Sequence, residues 1–118
     1  MSERITDLTF LQSFTGGNKE KMNKYIGLFL NMCPGQLDAM QSLLQSGNYD
    51  ALRATAHSLK PQVTYMGIKS GEGLIKNIEH NAAEKINLDQ LPQMLDSFRD
   101  ICTKAIAELK EEVEKSKA

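Results

Sequence analysis

A chain of 118 residues fits one domain and is long enough to bury a hydrophobic core without a disulfide or a structural metal. It carries 14 lysines and arginines against 15 aspartates and glutamates, and no segment concentrates basic residues alone. This balance excludes the electrostatic footprint of a nucleic-acid-binding protein. Helix-favouring residues dominate, so the sequence predicts an all-α fold as a single domain, 1–118.

The first predicted helix is short and runs from Asp7 to Thr15, with Thr6 as its N-cap and Gly16-Gly17 as its stop. Asn18 then caps a long second helix, in which Pro34 removes one backbone hydrogen bond, so we expect a bend rather than a break. Apolar residues recur along this helix at steps of four and three, namely Met22, Ile26, Phe29, Cys33, Leu37, Met40 and Leu44.

Gly47 ends the second helix, and Asn48 caps a third, which runs to about Met66 with Gly67 as its stop. Asp50 lies in the first turn, where the helix dipole favours an anion. The core stripe of this third helix consists of Leu52, Ala56, Leu59, Val63 and Met66.

A fourth helix is predicted from about Ser70, and a fifth begins near Asn87 or Asp89 with Pro92 in or near its first turn. Gly71 and Gly73 indicate close helix packing on the fourth helix. The fourth helix turns Leu74, Ile75 and Ile78 inward, and the fifth has the stripe Leu91, Leu95, Phe98, Cys102, Ile106, Leu109 and Val113. Four amphipathic helices with short connections favour an antiparallel up-down four-helix bundle, with the short first helix as a lid.

The two cysteines, Cys33 and Cys102, fall on core stripes, and small buried side chains in a reducing compartment are favoured over a disulfide or metal pair. The sequence has no signal peptide and no run of 18 apolar residues, so we expect a soluble cytoplasmic protein or an excised domain of a larger one. The initial methionine and the charged tail favour a free-standing protein. No apolar stripe is left over, so a monomer is expected.

The sequence lacks a catalytic or metal-binding constellation. It has two histidines, no Glu-x-x-His pair and no Cys-x-x-Cys. His80 fits an ordinary surface residue. His57 is different, because at 100° per residue it points about 140° away from the core stripe of its helix, with Lys60 one turn further on. An exposed imidazole on a packed helix could carry a chemical group and pass it to a partner.

The stretch His57-Ser58-Leu59-Lys60, with Gly67 seven residues after the lysine, resembles the histidine-containing phosphotransfer (HPt) family. The short first helix, the proline in the second helix and the segment 47–50 before the histidine helix fit the same family. The resemblance covers essentially the whole chain. It implies a phosphorelay protein that carries a phosphoryl group on His57 and exchanges it with the aspartate of a receiver domain, in a response regulator or hybrid histidine kinase.

The resemblance also implies roles for other residues. Lys60 would lie beside the phosphoryl group, and a residue on the next helix would orient the imidazole, for which Glu79 is the candidate; the alternative is an ordinary surface glutamate. Lys76 is a weaker candidate for shaping the field around the phosphate, and Pro61, Thr64 and Lys76 would contribute to the partner face. The chain would be no enzyme by itself and would need no cofactor of its own, because the receiver supplies the Mg²⁺.

One position departs from the family pattern. The family usually has glycine and a small residue after the lysine, where this chain has Pro61 and Gln62. Proline cannot donate to the His57 carbonyl, so a kink is expected, at about 3 kcal/mol in a regular helix. The kink either orients His57 and narrows the choice of receiver or is a tolerated variation.

A second hypothesis comes from a different functional class. The chain could be a helical-bundle interaction module that binds a receiver or kinase without being phosphorylated, with His57 idle.

Overall fold

The computed structural model describes residues 4–117, with side chains up to residue 115, and all its regular structure within that range is helical. The helices are α1 (Thr9–Thr15), α2 (Lys19–Gln45), α3 (Tyr49–Tyr65), α4 (Lys69–Glu84) and α5 (Leu91–Lys117). A single 3₁₀ turn, Leu88–Gln90, precedes α5 and leaves Pro92 in the first turn of that helix, as predicted.

The four long helices form a closed ring in which α2 packs on α3, α3 on α4, α4 on α5, and α5 back on α2. Short connections at 46–48 and 66–68 reverse the chain, so neighbouring helices are antiparallel. The predicted stripes meet in one core, whose largest fully buried side chains include Phe29, Phe98, Met40, Leu59 and Ile75. The predicted four-helix bundle with a short additional helix is confirmed.

Asparagine and glycine fix the helix ends as the sequence indicates. The Asn18 and Asn48 side chains accept hydrogen bonds from backbone N–H groups at the starts of α2 and α3, at 3.0 and 3.3 Å. Gly16 and Gly47 adopt positive φ angles of 66° and 72°, a backbone conformation that costs glycine little. Pro34 lies inside α2, which continues through it.

The expectation that Thr6 caps α1 is wrong. The helix begins at Thr9 rather than Asp7, and it is Asp7 that accepts hydrogen bonds from the Thr9 amide and hydroxyl, at 3.0 and 2.6 Å. The Thr6 amide and hydroxyl instead donate to the Glu108 carboxylate of α5, at 3.0 and 2.8 Å. A tertiary partner therefore replaces the local cap.

Residues 4–8, which we call the N-terminal strap, cross the end of the bundle. Glu108 also accepts a 2.7 Å hydrogen bond from the Ile5 amide, and Arg4 forms an ion pair with Glu112 at 3.0 Å. The Asp7 amide donates to the Met66 carbonyl at 3.3 Å. The strap thus joins α5 to the turn between α3 and α4.

Glu108 is expected to make the strap sensitive to acid. Burial acts to raise the pKa of Glu108, but the hydrogen bonds from Ile5 and Thr6, with the Arg4 charge, outweigh it and hold the pKa below its ordinary value. A lowered folded-state pKa stabilises the strap fully above about pH 4.5, and this contribution is lost as the pH falls through the lower folded-state value.

Glu108→Gln should reproduce this loss at neutral pH, because a neutral amide cannot serve all three donors as a carboxylate does. Hydrogen exchange at the Ile5 and Thr6 amides should accelerate by about 10- to 100-fold, the equivalent of one hydrogen bond to a charged group. Glu111→Gln, which removes a charge of α5 that pairs with Lys115 rather than with the strap, is the control. Equal exchange rates in the two variants would show that Glu108 does not anchor the strap.

The packing distinguishes Gly71 from Gly73 and places both cysteines in the core. A Cβ added to Gly71 would lie 3.2 Å from Ile68 and 3.3 Å from Phe98, whereas one added to Gly73 would meet nothing within 4 Å, so only Gly71 is a close-packing site. Cys33 and Cys102 are fully buried free thiols. Hydrogen bonding to Cys33, together with burial, raises the pKa of Cys102, which stays a protonated thiol.

Candidate functional site

His57 lies on the outer face of α3, as its position relative to the core stripe predicts. Its neighbour Ala56 and the next core residue, Leu59, are fully buried, whereas 66% of the His57 side chain is exposed. The asparagine cap and the packed stripe fix the rotation of α3, so the bundle presents this imidazole to solvent.

Glu79 of α4 connects the two residues of the histidine motif. Its Oε2 atom lies 2.6 Å from His57 Nδ1, and its Oε1 atom accepts a 2.9 Å hydrogen bond from Lys60 Nζ. The Glu79 side chain is only 16% exposed. A carboxylate can only accept, so this contact assigns the proton to Nδ1 and leaves the lone pair on His57 Nε2, on the other side of the ring.

The surroundings of Glu79 keep it ionised. The hydrogen bond from Lys60 is the largest effect, and with the His57 contact it outweighs burial and holds the pKa of Glu79 below its ordinary value. Glu79 is therefore an anion at neutral pH, as the proton assignment on His57 requires.

The remaining predicted residues fall on two sides of His57. Lys76 lines a shallow depression of about 380 Å³ between α3 and α4, together with Arg53, His57, Lys60, Glu79, His80 and Ala83. Pro61 and Thr64 lie outside this depression, exposed on the turns of α3 that follow His57. The fold therefore brings Lys60, Glu79 and Lys76 together around His57 and leaves Pro61 and Thr64 on the open face.

An exposed aromatic cluster was not predicted from the sequence. Phe10 and Phe14 of α1 are 47% and 57% exposed, and each ring stacks with Tyr65 of α3, at centroid distances of 5.6 and 6.2 Å. Tyr25 of α2 meets Phe14 edge to face at 5.5 Å. The composition of α1 could have indicated this cluster, because the short helix contains three large apolar residues, more than one buried face needs.

Residues 4–117 contain neither a cluster of metal ligands nor a membrane-spanning helix. Within that range no three histidine, cysteine, aspartate or glutamate side chains converge as metal ligands. None of the helices in the same range is long and apolar enough to span a membrane.

Comparison with known proteins supports the fold and identifies the family. The chain is similar over 97% of its length, at 24% identity and a TM-score of 0.86, to the crystal structure of histidine-containing phosphotransfer protein B from Pseudomonas aeruginosa PAO1, of which 98% is covered. No curated protein sequence matches significantly. The family model of the Hpt domain matches residues 24–118, a range that contains α3, α4 and the whole depression. On this match, the chain belongs to the Hpt domain family.

Proposed function

We propose that the protein is a phosphoryl carrier of a two-component phosphorelay, with His57 Nε2 as the phosphoacceptor. The observation that carries this assignment is the exposed imidazole whose Nδ1 is held by Glu79 at 2.6 Å. A fixed Nδ1–H leaves the Nε2 lone pair as the nucleophile and directs it to solvent, where a partner can reach it.

The transfer step follows from this arrangement. The Nε2 lone pair attacks the phosphorus of an aspartyl phosphate, a P–N bond forms, and the P–O bond breaks with its electron pair returning to the aspartate carboxylate. The ring keeps its Nδ1 proton and becomes a phosphorylated imidazolium, whose positive charge the ionised Glu79 stabilises. The reverse sequence returns the phosphoryl group to an aspartate.

Lys60 fits a supporting role. The phosphoryl group adds about −1.5 to −2 charge, as phosphorylation does on other side chains, and Lys60 can offset part of it as a point charge without clamping the group. The chain acts as a carrier rather than an enzyme in this proposal. Phosphoryl transfer depends on positioning and charge neutralisation. In this proposal the receiver domain supplies the Mg²⁺ and most of this catalysis.

The proposed partner face surrounds His57. Pro61 and Thr64 follow it on the same side of α3, and Tyr65, with the aromatic cluster, begins about 12 Å further along the helix axis. Lys76 lies on the α4 side. The partner would be the receiver domain of a response regulator or hybrid histidine kinase, bound by a monomer in the cytoplasm, where the buried thiols stay reduced.

A phosphorylation assay separates this function from that of an unphosphorylated interaction module. The protein is incubated with a receiver domain carrying a labelled aspartyl phosphate and Mg²⁺, and the transferred label is tested for stability. A phosphohistidine is acid-labile and alkali-stable, and its appearance on this chain supports the carrier function. A stable complex with the receiver and no transferred label would favour the interaction module.

Replacing Glu79 should slow transfer without preventing it. Glu79→Ala removes a hydrogen bond to a charged group, so the transfer rate should fall by about 10- to 100-fold. Glu79→Gln keeps an acceptor oxygen for Nδ1 and should lose less. Rapid-quench measurement of label transfer checks both variants, with Glu84→Gln as the control that removes a charge from an exposed position on α4. If Glu79→Ala matched the control, Glu79 would be an ordinary surface glutamate.

A further inference from the structure

The depression beside His57 contains more positive charge than its single carboxylate can balance. Arg53, Lys60 and Lys76 line it, and Glu79 is its one acidic residue. Glu79 is already bound to Lys60 at 2.9 Å and to His57 at 2.6 Å. Two cationic side chains, one on α3 and one on α4, therefore face this space without a carboxylate of the depression to pair with.

Arg53 and Lys76 differ in this respect from several other basic residues, whose side chains pair with carboxylates. Among residues 4–115, Arg99 pairs with Asp38 at 3.1 Å and Lys104 with Asp100 at 3.2 Å, whereas neither the Arg53 nor the Lys76 side chain has a hydrogen-bond or ion-pair partner. An unpaired guanidinium beside a proposed phosphoacceptor is available to bind an anion that arrives there.

We infer that Arg53 is a phosphoryl-contacting residue, which binds the phosphoryl oxygens of phosphorylated His57 from the N-terminal side of the imidazole. This inference rests on the proposed function. Arg53 lies four residues before His57 and Lys60 three residues after it, so the two cations flank the imidazole on neighbouring turns of one helix face.

The chemistry of arginine suits this position. Its planar guanidinium can donate two parallel hydrogen bonds to phosphoryl oxygens, which the ammonium of a lysine cannot reproduce. Lys60 is held by Glu79, whereas Arg53 has no partner to give up. Arg53 therefore makes the new contact on phosphorylation, while Glu79 keeps its hold on Nδ1.

The contact has a measurable consequence for the phosphoryl group itself. A neighbouring cation favours the dianion and lowers the pKa of the phosphoryl oxygens, whose second ionisation lies near 6. The groups that face the phosphoryl group are Arg53 and Lys60 from α3, with Lys76, Glu79 and His80 from α4. Removing Arg53 alone should therefore raise the pKa of this second ionisation.

The test uses phosphoramidate, a small phosphodonor whose P–N bond breaks as the bond to Nε2 forms, with ammonia leaving. The phosphorus NMR signal of phosphorylated His57 is followed against pH. Arg53→Gln should raise its titration midpoint by about half a pH unit, as expected for an exposed ionic contact. The midpoint of Arg53→Lys should fall between those of the unaltered protein and Arg53→Gln, because lysine restores the charge without the paired hydrogen bonds.

Arg99→Gln is the matched control, since it makes the same change in net charge on α5 and should leave the midpoint unchanged. Equal midpoints for Arg53→Gln and Arg99→Gln would overturn the role of Arg53 and leave the carrier function standing. Absence of any phosphoryl group on His57 in the unaltered protein would overturn both. Circular dichroism checks that the variants remain helical.

Discussion

Replacing His57 with glutamine is expected to abolish phosphoryl uptake while leaving the bundle folded. Glutamine has no nucleophilic ring nitrogen, so the acid-labile, alkali-stable label should fall below detection. The fold should persist, because most of the His57 side chain lies in solvent and the core residues beneath it, Ala56 and Leu59, are unchanged. Label transfer from a phosphorylated receiver is the measurement, with thermal unfolding as the test of folding.

His80→Gln provides the comparison, because His80 is the other histidine of the chain and lines the same depression. It should retain an acid-labile label. Persistence of the label in a folded His57→Gln protein would rule out His57 as the acceptor.

Replacing Gly67 with alanine is expected to cause the largest loss of stability from a single methyl group. Gly67 has a φ of +64°, and a Cβ there would stand 1.9 Å from the backbone oxygen of Asp7. The left-handed conformation costs a non-glycine residue about 1–2 kcal/mol, and overpacking adds about 1–3 kcal/mol. Because the obstacle is backbone, relief requires moving the N-terminal strap away from the turn between α3 and α4.

Two other glycines separate these contributions in chemical unfolding experiments. Gly47→Ala carries the same backbone strain, with a φ of +72°, but its Cβ would meet nothing within 4 Å, so it should lose only the strain component. Gly73→Ala has neither problem and should stabilise α4 by about 0.5–1 kcal/mol. If Gly67→Ala were no worse than Gly47→Ala, the strap would not press on Gly67.

Most of the bundle could be predicted from local signals. The four long helices carry apolar stripes at steps of four and three, and asparagines and glycines mark several of their ends. The rotation of each helix follows from its stripe, so the exposure of His57 and the position of Glu79 beside the inward-facing Ile78 were both readable. Glu79 then contacts His57 and Lys60 because α3 and α4 are adjacent and antiparallel, so these side chains project into the groove between the two helices.

The strap was not predictable in the same way. Thr6 has the chemistry of an N-cap and lies at the right distance from a helix start, and a local pattern cannot reveal that Glu108, 102 residues further on, offers it a better acceptor. The steric requirement for glycine at position 67 could not be predicted for the same reason. The sequence indicates a helix stop there, whereas the absence of space depends on the Asp7 backbone crossing above it.

The sequence by itself determined the all-α class, the face that each helix turns to the core and the histidine that faces outward. These follow from the periodic burial of apolar residues within single helices. Only the tertiary structure decided which groups meet across helices. The carboxylate bridge from Glu79 to His57 and Lys60, the unpaired Arg53 and the aromatic cluster around Tyr65 all depend on how side chains of different helices are placed to within a few ångströms. Those distances are set by the packing of the whole core, which no local pattern encodes.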